Sequence, residues 1–336
     1  MLRAGIVGIG TWGQNLVNSV QGKSDRIRFV AGATGTPAKA ADFCKRHGIR
    51  LADSYENLLD ADIDAVVLAT PHSMHTGQIV AAAGAGKHVF VEKPLGLDRK
   101  QAERAVAACA ERKVVLAVGY NWRFQPALRE IRRMLEDGRL GRLLHIEGNF
   151  CGPSAYRFPR GHWRHDRDAE APAGGMTGRG VHVVDAMLYL GGHVETVHAQ
   201  SRRLAQDFGM DDTTSMLLGF RSGATGYLGT FIATAETWRM QVFGSKGWAE
   251  VGDVEHLSTW ELRTCFIDPE DIRKKQRPQV STFPAVSTER AELERFAEAA
   301  AAGEPIARPG GDEVHNVAVF EAIVASAADH STRRVL

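Results

Sequence analysis

The fold is decided at the amino end of the chain, where residues 2–13 read LRAGIVGIGTWG. A short apolar run of strand length leads directly into three glycines, and a helical pattern follows. In that context the glycines permit a tight turn, the close approach of a pyrophosphate and close packing of helix against strand. The amino end of the helix adds unbonded N–H groups and a positive dipole end. An ordinary glycine-rich turn is the alternative for the pattern taken alone. The residues predicted to bind a dinucleotide here are Gly8, Gly10, Thr11, Trp12 and Gly13.

Strand and helix periods alternate through the rest of the first 122 residues. Short apolar runs rich in β-branched residues alternate with stretches of helical spacing. The predicted strands are 2–9, 27–33, 65–69, 88–91 and 114–118, and the predicted helices are 14–20, 37–47, 76–85 and 99–112. Strands separated by helices form parallel sheets with right-handed crossovers. Residues 1–122 are therefore predicted to form a Rossmann-type, doubly wound α/β domain that binds the dinucleotide.

From residue 123 onward the pattern changes to strands that follow one another. The predicted strands are 143–150, 194–203, 213–220, 225–233, 239–243 and 260–264, and the predicted helices are 127–137, one starting near Val181, 288–302 and 312–329. Such a pattern is typical of an α+β domain with a mostly antiparallel sheet that is open on one face. Residues 123–336 are therefore predicted to form a substrate-binding and oligomerisation domain. Residues 157–172 show neither period, and long loops of this kind are often functional.

The composition excludes several classes of protein. Of the 336 residues 44% are hydrophobic and 24% charged, which is ordinary for a globular protein. The 41 Lys and Arg balance the 40 Asp and Glu, so the sequence shows no basic surface for nucleic acid or an anionic membrane. The four cysteines lack metal-ligand spacing, so reduced thiols and no metal site are expected. With no signal stretch or membrane-length apolar run, the expected location is the cytoplasm.

The residues after the second predicted strand bear on the choice between NAD and NADP. Residues 33–37 read ATGTP, and no carboxylate follows before Asp42. A carboxylate here would hydrogen-bond the ribose 2′-hydroxyl and repel a 2′-phosphate. Thr34, Thr36 and Lys39 could instead accept a phosphate, which favours NADP(H) over NAD(H). The alternative is a plain turn with Lys39 in solvent.

The tripeptide EKP at residues 92–94 follows the predicted strand 88–91 directly. Ligands of open α/β sheets bind at the carboxyl ends of the strands. The ammonium of Lys93 could therefore bridge cofactor and substrate, or donate a proton. A solvated Glu–Lys pair is the alternative reading of these residues alone.

Five motifs occur in order along the chain. They are GIGTWG at 8–13, ATPHSMH at 69–75, AGKHVFVEKPL at 85–95, GYNWRFQP at 119–126 and GSKG at 244–247. In this series the chain resembles the Gfo/Idh/MocA oxidoreductase family, which includes glucose–fructose oxidoreductase and inositol dehydrogenase. The resemblance spans essentially the whole chain, and the sequence is identified as a member of that family.

The resemblance implies roles for particular residues. In relatives the Lys of EKP lies beside the nicotinamide and the reacting hydroxyl, which implies that Lys93 is catalytic and contacts both cofactor and substrate. The other residues that the motifs assign to the cofactor are Thr70, Pro71, His75, Glu92, Asn121, Trp163 and Arg164. The last two resemble a Trp–Arg pair that reaches the cofactor from the second domain. Tyr156 and His165, close to that pair, could line the substrate or could be ordinary loop residues.

The sequence departs from the family at its second catalytic motif. Relatives often read GGGxLxDxGxHxxD, whereas residues 174–185 read GGMTGRGVHVVD. His182 stands in the expected place, and an imidazole is a suitable general base. Gly178 replaces the Asp four residues earlier, so another group must set the tautomer and basicity of His182. Asp185, one helical turn on, could reach it, although capping or packing is the simpler role.

Together these features predict an NAD(P)-dependent oxidoreductase that transfers a hydride between the nicotinamide and a carbinol carbon. His182 would take the hydroxyl proton, and Lys93 would stabilise the developing alkoxide. The resemblance implies a sugar, cyclitol, sugar acid or cyclic diol as the substrate. Arg123 or Arg179 could pair with an acidic substrate, or could form ordinary ion pairs.

Two other functions are open to such a chain. One is a net non-redox reaction, such as elimination, hydrolysis or isomerisation, on a retained dinucleotide. The other is a non-catalytic, dinucleotide-sensing regulator, against which the presence of both Lys93 and His182 argues. In the family the open face of the second sheet commonly packs against another subunit, which implies a homodimer or homotetramer.

Overall fold

The computed structural model describes residues 1–165, 170–308 and 310–335. Within the aperiodic loop predicted at 157–172, residues 166–169 lie outside the described part. The chain divides into two compact units. The first unit contains residues 1–121 and 287–317, and the second contains residues 122–286 and 318–336.

The first unit is built on a six-stranded parallel sheet. The strands are β1 (Leu2–Val7), β2 (Ile27–Ala33), β3 (Arg50–Leu51), β4 (Ala65–Leu68), β5 (His88–Val91) and β6 (Leu116–Val118). Their order is β3-β2-β1-β4-β5-β6, and every neighbouring pair is parallel. This confirms the predicted doubly wound α/β architecture. The strand order reverses between β1 and β4, and ligands of such sheets bind beside that point at the carboxyl ends of the strands. The glycine turn after β1 lies there.

Helices bury both faces of this sheet. They are α1 (Thr11–Val20), α2 (Pro37–His47), α3 (Tyr55–Leu59), α4 (His75–Gly84), α5 (Arg99–Glu111) and α9 (Thr288–Ala302). One apolar layer contains side chains of α1, α2 and α9, such as Leu16, Phe43 and Phe296. The other contains side chains of α4 and α5, such as Ile79 and Val106. A strand whose successive side chains enter opposite layers must be apolar throughout, which explains the short apolar runs of the sequence.

Residues 287–317 belong to the first unit because side chains of α9 pack into its core. The sequence pattern groups them with the second domain, because two helices at the end of the chain follow its strands. In the structure the side chains of Leu293 and Phe296 are wholly buried in the layer that α1 and α2 form. The ring of Phe296 meets the ring of Phe90 on β5 at 5.8 Å. Nothing in the local sequence of residues 287–317 indicates that they pack against the sheet of the first unit.

The second unit contains a nine-stranded sheet. Its strands are β7 (Leu143–Cys151), β8 (Val194–Arg202), β9 (Thr213–Phe220), β10 (Thr225–Phe231), β11 (Thr237–Gly244), β12 (Gly247–Asp253), β13 (Glu261–Phe266), β14 (Gln279–Thr282) and β15 (Arg333–Arg334). They run in the order β14-β13-β12-β11-β7-β10-β9-β8-β15. Neighbours are antiparallel except β7 and β10, which are parallel. The predicted mostly antiparallel sheet is confirmed.

Helix α8 covers the middle of this sheet. The remaining helices are α6 (Pro126–Glu136), α7 (Ser154–Arg157), α8 (Val181–Gly191) and α10 (Asp312–Asp329). Gly148 on β7 has no side chain where α8 approaches, since a Cβ there would lie 2.4 Å from Val183 Cγ1 and 3.1 Å from Met187 Cε. The glycine therefore lets α8 lie close to the sheet, and this fixes where His182 is held. Across the described parts of the chain, no helix combines the length and apolar character needed to span a membrane.

Candidate active site

In the turn after β1, a side chain at Gly8, Gly10 or Gly13 would have a different effect in each case. Gly8 has φ +87°, and a Cβ there would lie 2.4 Å from the Ala69 carbonyl oxygen. A Cβ on Gly13 would lie 2.1 Å from the Gly8 carbonyl oxygen. A Cβ on Gly10 would meet no atom of the described residues within 4 Å. The protein's own packing therefore requires Gly8 and Gly13, whereas the open space at Gly10 fits a pyrophosphate at the amino end of α1, which Thr11 begins.

The end of β2 is an exposed turn. Thr34 is half-buried there, and Thr36 and Lys39 are exposed. The Thr36 N–H donates to Thr34 Oγ1 at 3.4 Å. The side chains predicted to face the ribose are thus accessible, and the exposed Asp42 lies further along, within α2.

The loop after β4 carries Thr70 and Pro71, both half-buried. Thr70 Oγ1 donates a hydrogen bond of 2.6 Å to Gln78 Oε1 on α4. That bond fixes the hydroxyl and ties the loop to the helix that follows it.

His75 joins this loop to the loop after β5. Its ring is wholly buried. Nδ1 lies 2.7 Å from the Pro94 carbonyl oxygen, and Nε2 lies 3.1 Å from the Thr70 carbonyl oxygen. Because Pro94 directly follows Lys93, the imidazole positions the backbone that carries the predicted catalytic ammonium. The structure thus gives His75 a backbone-positioning contact where the sequence suggested cofactor contact.

Several buried polar groups of the first unit follow the carboxyl ends of its strands, as Lys93 does. Lys93 itself is half-buried, and Glu92 is buried with 6% of its surface exposed. Asn121 Nδ2 donates to Thr288 Oγ1 at 3.3 Å. Glu92 Oε1 and Asn121 Oδ1 are buried and accept no hydrogen bond from any described residue, while the buried indole N–H of Trp12 faces the Glu92 carboxyl group. Buried polar atoms of this kind need partners, so a polar cofactor at this edge of the sheet fits the residues present.

Burial also changes the acidity of Glu92. Burial raises the pKa of this carboxyl group to about 7, while the charge of Lys93 and the indole N–H of Trp12 act in the opposite direction. The charge of Glu289, at the start of α9, adds to the rise of the pKa. A carboxyl group that takes up a proton near neutral pH therefore precedes Lys93.

In the second unit His182 is held in an aromatic enclosure. Its imidazole is 5% exposed and stacks on the Trp122 ring, with centroids 5.7 Å apart and planes at 20°. The rings of Phe150 and His256 lie at 6.2 and 6.3 Å from it. Trp122 Nε1 donates to His256 Nδ1 at 3.1 Å. Ring packing thus orients His182 where the sequence lacks the family's carboxylate.

Gly178 lies in a helical turn with an extra residue. Met176–Gly180 is π-helical and continues into α8, and such turns are frequent at functional sites. A Cβ on Gly180 would lie 2.1 Å from Met176 Sδ, so a larger residue there would require the flexible Met176 side chain to move. Among the residues that the structure describes, a Cβ on Gly178 would approach only Arg164 Nη1, at 4.0 Å. Packing among the described residues leaves room for a side chain at position 178.

Arg123 and Arg179 form ion pairs within the second unit. Arg123 binds Asp185, with Nη2 to Oδ1 at 2.7 Å and Nε to Oδ2 at 2.9 Å. Arg179 Nη1 donates to Glu236 Oε1 at 2.9 Å and to the Cys151 carbonyl oxygen at 2.7 Å. Both contacts match the ion-pair alternative for these arginines. Asp185 accordingly has a packing and pairing role with Arg123.

In the loop that precedes residues 166–169, the side chains of Trp163 and Arg164 stack on each other. The Arg164 guanidinium lies 4.4 Å from the centroid of the Trp163 ring, which is 37% exposed. Burial lowers the pKa of Arg164, against the effect of the Glu170 charge. Tyr156 is 59% exposed. His165 is buried, and its Nε2 lies 2.9 Å from the Phe158 carbonyl oxygen.

Sequence reasoning missed the residues that hold these side chains. Glu236 is 57 positions from Arg179, and His256 is 134 positions from Trp122. Neither lies in a recognisable motif. No group of three or more His, Cys, Asp or Glu that could bind a metal occurs in residues 1–165, 170–308 and 310–335.

Comparison with known proteins places this geometry in a family. Residues 2–120 match the model described as the oxidoreductase family with an NAD-binding Rossmann fold, and residues 128–250 match the GFO/IDH/MocA C-terminal domain. An inositol 2-dehydrogenase of Rhizobium meliloti is 30% identical over 341 residues, covering 98% of this chain and 97% of that protein. A scyllo-inositol 2-dehydrogenase (NAD(+)) of Bacillus subtilis is 29% identical over 76% of this chain and 75% of that protein.

A solved structure agrees with this placement. The aldose–aldose oxidoreductase of Caulobacter crescentus, complexed with glycerol, superposes with a TM-score of 0.87 at 26% identity, covering 99% of each chain. The chain therefore belongs to the Gfo/Idh/MocA oxidoreductase family, which confirms the resemblance of its motifs. It is a dinucleotide-dependent oxidoreductase.

Proposed function

We propose that the protein oxidises or reduces a carbinol carbon of a small polyhydroxylated substrate: a sugar, cyclitol, sugar acid or cyclic diol. The single observation that carries the proposal is the carboxyl edge of the first sheet, where the open space at Gly10 and the half-buried Lys93 occur together. The relatives support the substrate class, because their names specify inositols and aldoses. When bound, the nicotinamide supplies the hydride acceptor or donor.

The chain's own residues hold the cofactor and move the proton. The amino end of α1 at Gly10 binds the pyrophosphate, and the buried amide oxygen of Asn121 faces the cofactor. Lys93 hydrogen-bonds the reacting oxygen and stabilises negative charge on it. His182, oriented by its stack on Trp122, takes the hydroxyl proton during oxidation.

NADP(H) is the proposed cofactor in preference to NAD(H). Thr34, Thr36 and Lys39 offer hydroxyls and an ammonium at the carboxyl end of β2, and the first carboxylate after this turn is within α2. Thr34→Asp should therefore shift kcat/KM toward NAD(H), because a carboxylate accepts from the 2′-hydroxyl and repels a 2′-phosphate. Thr34→Asn is the uncharged control. An unchanged NADP/NAD ratio in Thr34→Asp would place the ribose pocket elsewhere.

Reduction of added cofactor with a panel of polyols and sugar acids tests the main proposal. Lys93→Met should lower turnover by at least 100-fold and change cofactor affinity much less, since Lys93 acts on the reacting oxygen. Lys100→Met, at an exposed site on α5, is the matched control. Equal losses of turnover and of cofactor affinity in Lys93→Met would contradict the catalytic role.

A second function is a net non-redox reaction on a retained dinucleotide, and Gly178 is the observation that favours it. The family's catalytic carboxylate is missing there, although the described residues leave room for its side chain. Turnover that needs added cofactor at each cycle would support the dehydrogenase, whereas conversion of substrate with no change of added cofactor would support the second function.

We propose further that the protein is a homodimer or homotetramer joined through the second sheet. Leu217 and Tyr227 are cross-strand neighbours on the face opposite the buried core, and they are 59% and 37% exposed. Ion pairs on the same sheet, such as Arg239 with Glu147 at 2.6 Å, flank them. Leu217→Glu should give a monomer by sedimentation. An unchanged mass would exclude this face as the interface.

A further inference from the structure

The guanidinium of Arg164 lies among aromatic rings, away from any carboxylate that could pair with it. Its Cζ atom lies 4.4 Å from the centroid of the Trp163 ring and 5.3 Å from the centroid of the Phe158 ring. The side chain is half-buried, and in the part of the chain that the structure describes no oxygen accepts a hydrogen bond from it. A desolvated cation of this kind needs an anion or a polar acceptor, which the described residues do not supply.

Two nearby carboxylates have other positions. Glu170 is buried, and its charge acts on Arg164, but neither a hydrogen bond nor an ion pair joins the two described side chains. Glu236 pairs with Arg179 instead, with Oε1 at 2.9 Å from Nη1. The charge of Arg179 is thus compensated within the second unit, whereas the guanidinium of Arg164 keeps its donors for another group.

Gly178 leaves open space beside this guanidinium. A Cβ on Gly178 would lie 4.0 Å from Arg164 Nη1, and no other described atom outside its own helical turn would be as close. An oxygen placed in this space can therefore reach hydrogen-bond distance of Nη1. Gly178 precedes His182 by four positions in one continuous helical run, which puts both on the same side of the helix, one turn apart. The space borders both the guanidinium and the helix face that carries His182.

We propose that Arg164 and the space at Gly178 form a subsite for a carboxylate of the substrate, so that the protein acts on a sugar acid in preference to a neutral polyol. An Asp at position 178, as in the family motif, would pair with Arg164 and repel a substrate anion. With glycine there, the substrate supplies the carboxylate. Bound beside His182, that anion favours the imidazolium that forms when a hydroxyl is oxidised. The inference deepens the proposed function and rests on it for the reaction.

The ring stack prepares Arg164 for this role. A guanidinium that is held against an aromatic face presents its N–H donors at its edge, and its planar fork matches a carboxylate. Its side chain is already ordered, so less freedom is lost when the anion binds. Burial lowers the pKa of Arg164, which means that water stabilises the cation poorly there. A carboxylate therefore gains more from this arginine than from one at the surface.

Matched pairs of sugars that differ in one carboxylate test the specificity. They are D-glucuronate with D-glucose, D-galacturonate with D-galactose, and D-gluconate with D-glucitol. Wild type with added cofactor should turn over at least one acid with a kcat/KM about tenfold or more above that of its neutral partner. In Arg164→Met this acid-to-neutral ratio should fall by at least about tenfold, mainly through KM. An acid-to-neutral ratio in Arg164→Met equal to that of wild type would overturn the proposal.

Two further variants sharpen this comparison. Arg160→Met is the matched control and should keep the ratio of wild type, because Arg160 lies in the same loop but is exposed and pairs with Asp207. Gly178→Asp should abolish the preference for acids, since the fixed carboxylate occupies the subsite and neutralises Arg164. Gly178→Asn has the same shape without the charge and should retain more of the preference. Full preference for acids in Gly178→Asp would contradict the proposed position of the substrate carboxylate.

Binding of the same acids can be measured without turnover, by saturation-transfer NMR on the cofactor-loaded protein. Arg164→Met should weaken the binding of the preferred acid by at least about tenfold. If no acid binds to wild type, the subsite is refuted, whereas acid binding without any turnover would count against the proposed function alone. Calorimetry with the cofactor completes the test. A loss of cofactor affinity in Arg164→Met as large as the loss of acid binding would assign the guanidinium to the cofactor and overturn the inference.

Discussion

The guanidinium of Arg123 binds both carboxylate oxygens of Asp185, whose side chain has no exposed surface, across 62 positions of sequence. A buried carboxylate that loses a bidentate cation is costly, because its desolvation is then less well offset. The pair therefore fixes α8, which carries His182, to the segment that follows Asn121.

Arg123→Ala should lower the free energy of unfolding by about 3 kcal/mol, since it leaves Asp185 charged and buried. Arg133→Ala is the matched control, because Arg133 pairs with Glu130 at 2.9 Å but has 65% of its side chain exposed. That control should cost less than about 1 kcal/mol. Urea unfolding measures both, and similar costs for the two variants would contradict the importance of burial at Asp185.

Gly10→Ala should weaken cofactor binding while leaving the stability of the fold almost unchanged. The added methyl meets no described atom, so the free energy of unfolding should change by less than about 0.5 kcal/mol. Cofactor affinity by calorimetry should fall at least tenfold, or about 1.4 kcal/mol, because the methyl occupies the space of the pyrophosphate. Gly13→Ala is the contrasting variant and should lose stability, since its Cβ would overlap the Gly8 carbonyl oxygen. Full cofactor affinity in Gly10→Ala would show that the pyrophosphate lies elsewhere.

Gly178→Asp should fold and place a carboxylate against Arg164. We compare it with Gly178→Asn, which has the same shape without the charge. At low salt the Asp variant should be the more stable by up to about 1 kcal/mol, and about 1 M salt should remove the difference, since ions screen a half-buried pair. Equal stability of Asp and Asn at low salt would mean that the side chain at 178 does not meet the guanidinium.

Glu92 should make stability depend on pH in a defined direction. Burial holds its pKa at about 7 in the folded protein, against an ordinary value of 4.5. Between these values the folded state binds more protons than the unfolded state, so the contribution of Glu92 falls as pH rises. Glu92→Gln should therefore exceed wild type in stability by on the order of 3 kcal/mol above pH 7, and the difference should vanish below about pH 4.5.

Unfolding of both proteins from pH 4 to about 8, a range that brackets the titration, measures this difference. Glu111→Gln is the control, for which a constant offset is expected because water solvates that side chain in both states. A constant offset in Glu92→Gln as well would mean that the carboxyl is not desolvated.

The sequence was sufficient for features that depend on local pattern. The glycine turn, the parallel strands and the position of Lys93 after β5 all follow from short-range spacing, and the helix limits at Pro37–His47 agree residue for residue. The strand Gly247–Asp253 was missed because its glycines and acidic residues break the apolar alternation. It is formed by pairing on both sides, with β11 and β13.

Other features could not be predicted because their causes are distant in sequence. The motif predicts Arg179 as a candidate substrate-binding residue, whereas its ion pair with Glu236 forms only when the chain folds. His75 likewise reads as a cofactor residue, and only the fold reveals the two carbonyl groups at its ring nitrogens. Motifs thus predict which residues line the candidate site, while the partners that orient those side chains are brought to them by the tertiary structure.

The first unit is built from two separate segments of the chain, and this affects when it can fold during synthesis. Its core needs Leu293 and Phe296, which leave the ribosome only after the 165 residues 122–286 have been made. At ordinary elongation rates that is a delay on the order of ten seconds. The nucleotide-binding half must therefore remain incompletely packed until α9 has been synthesised, and a chain truncated before α9 should be degraded even though every strand of its sheet is present.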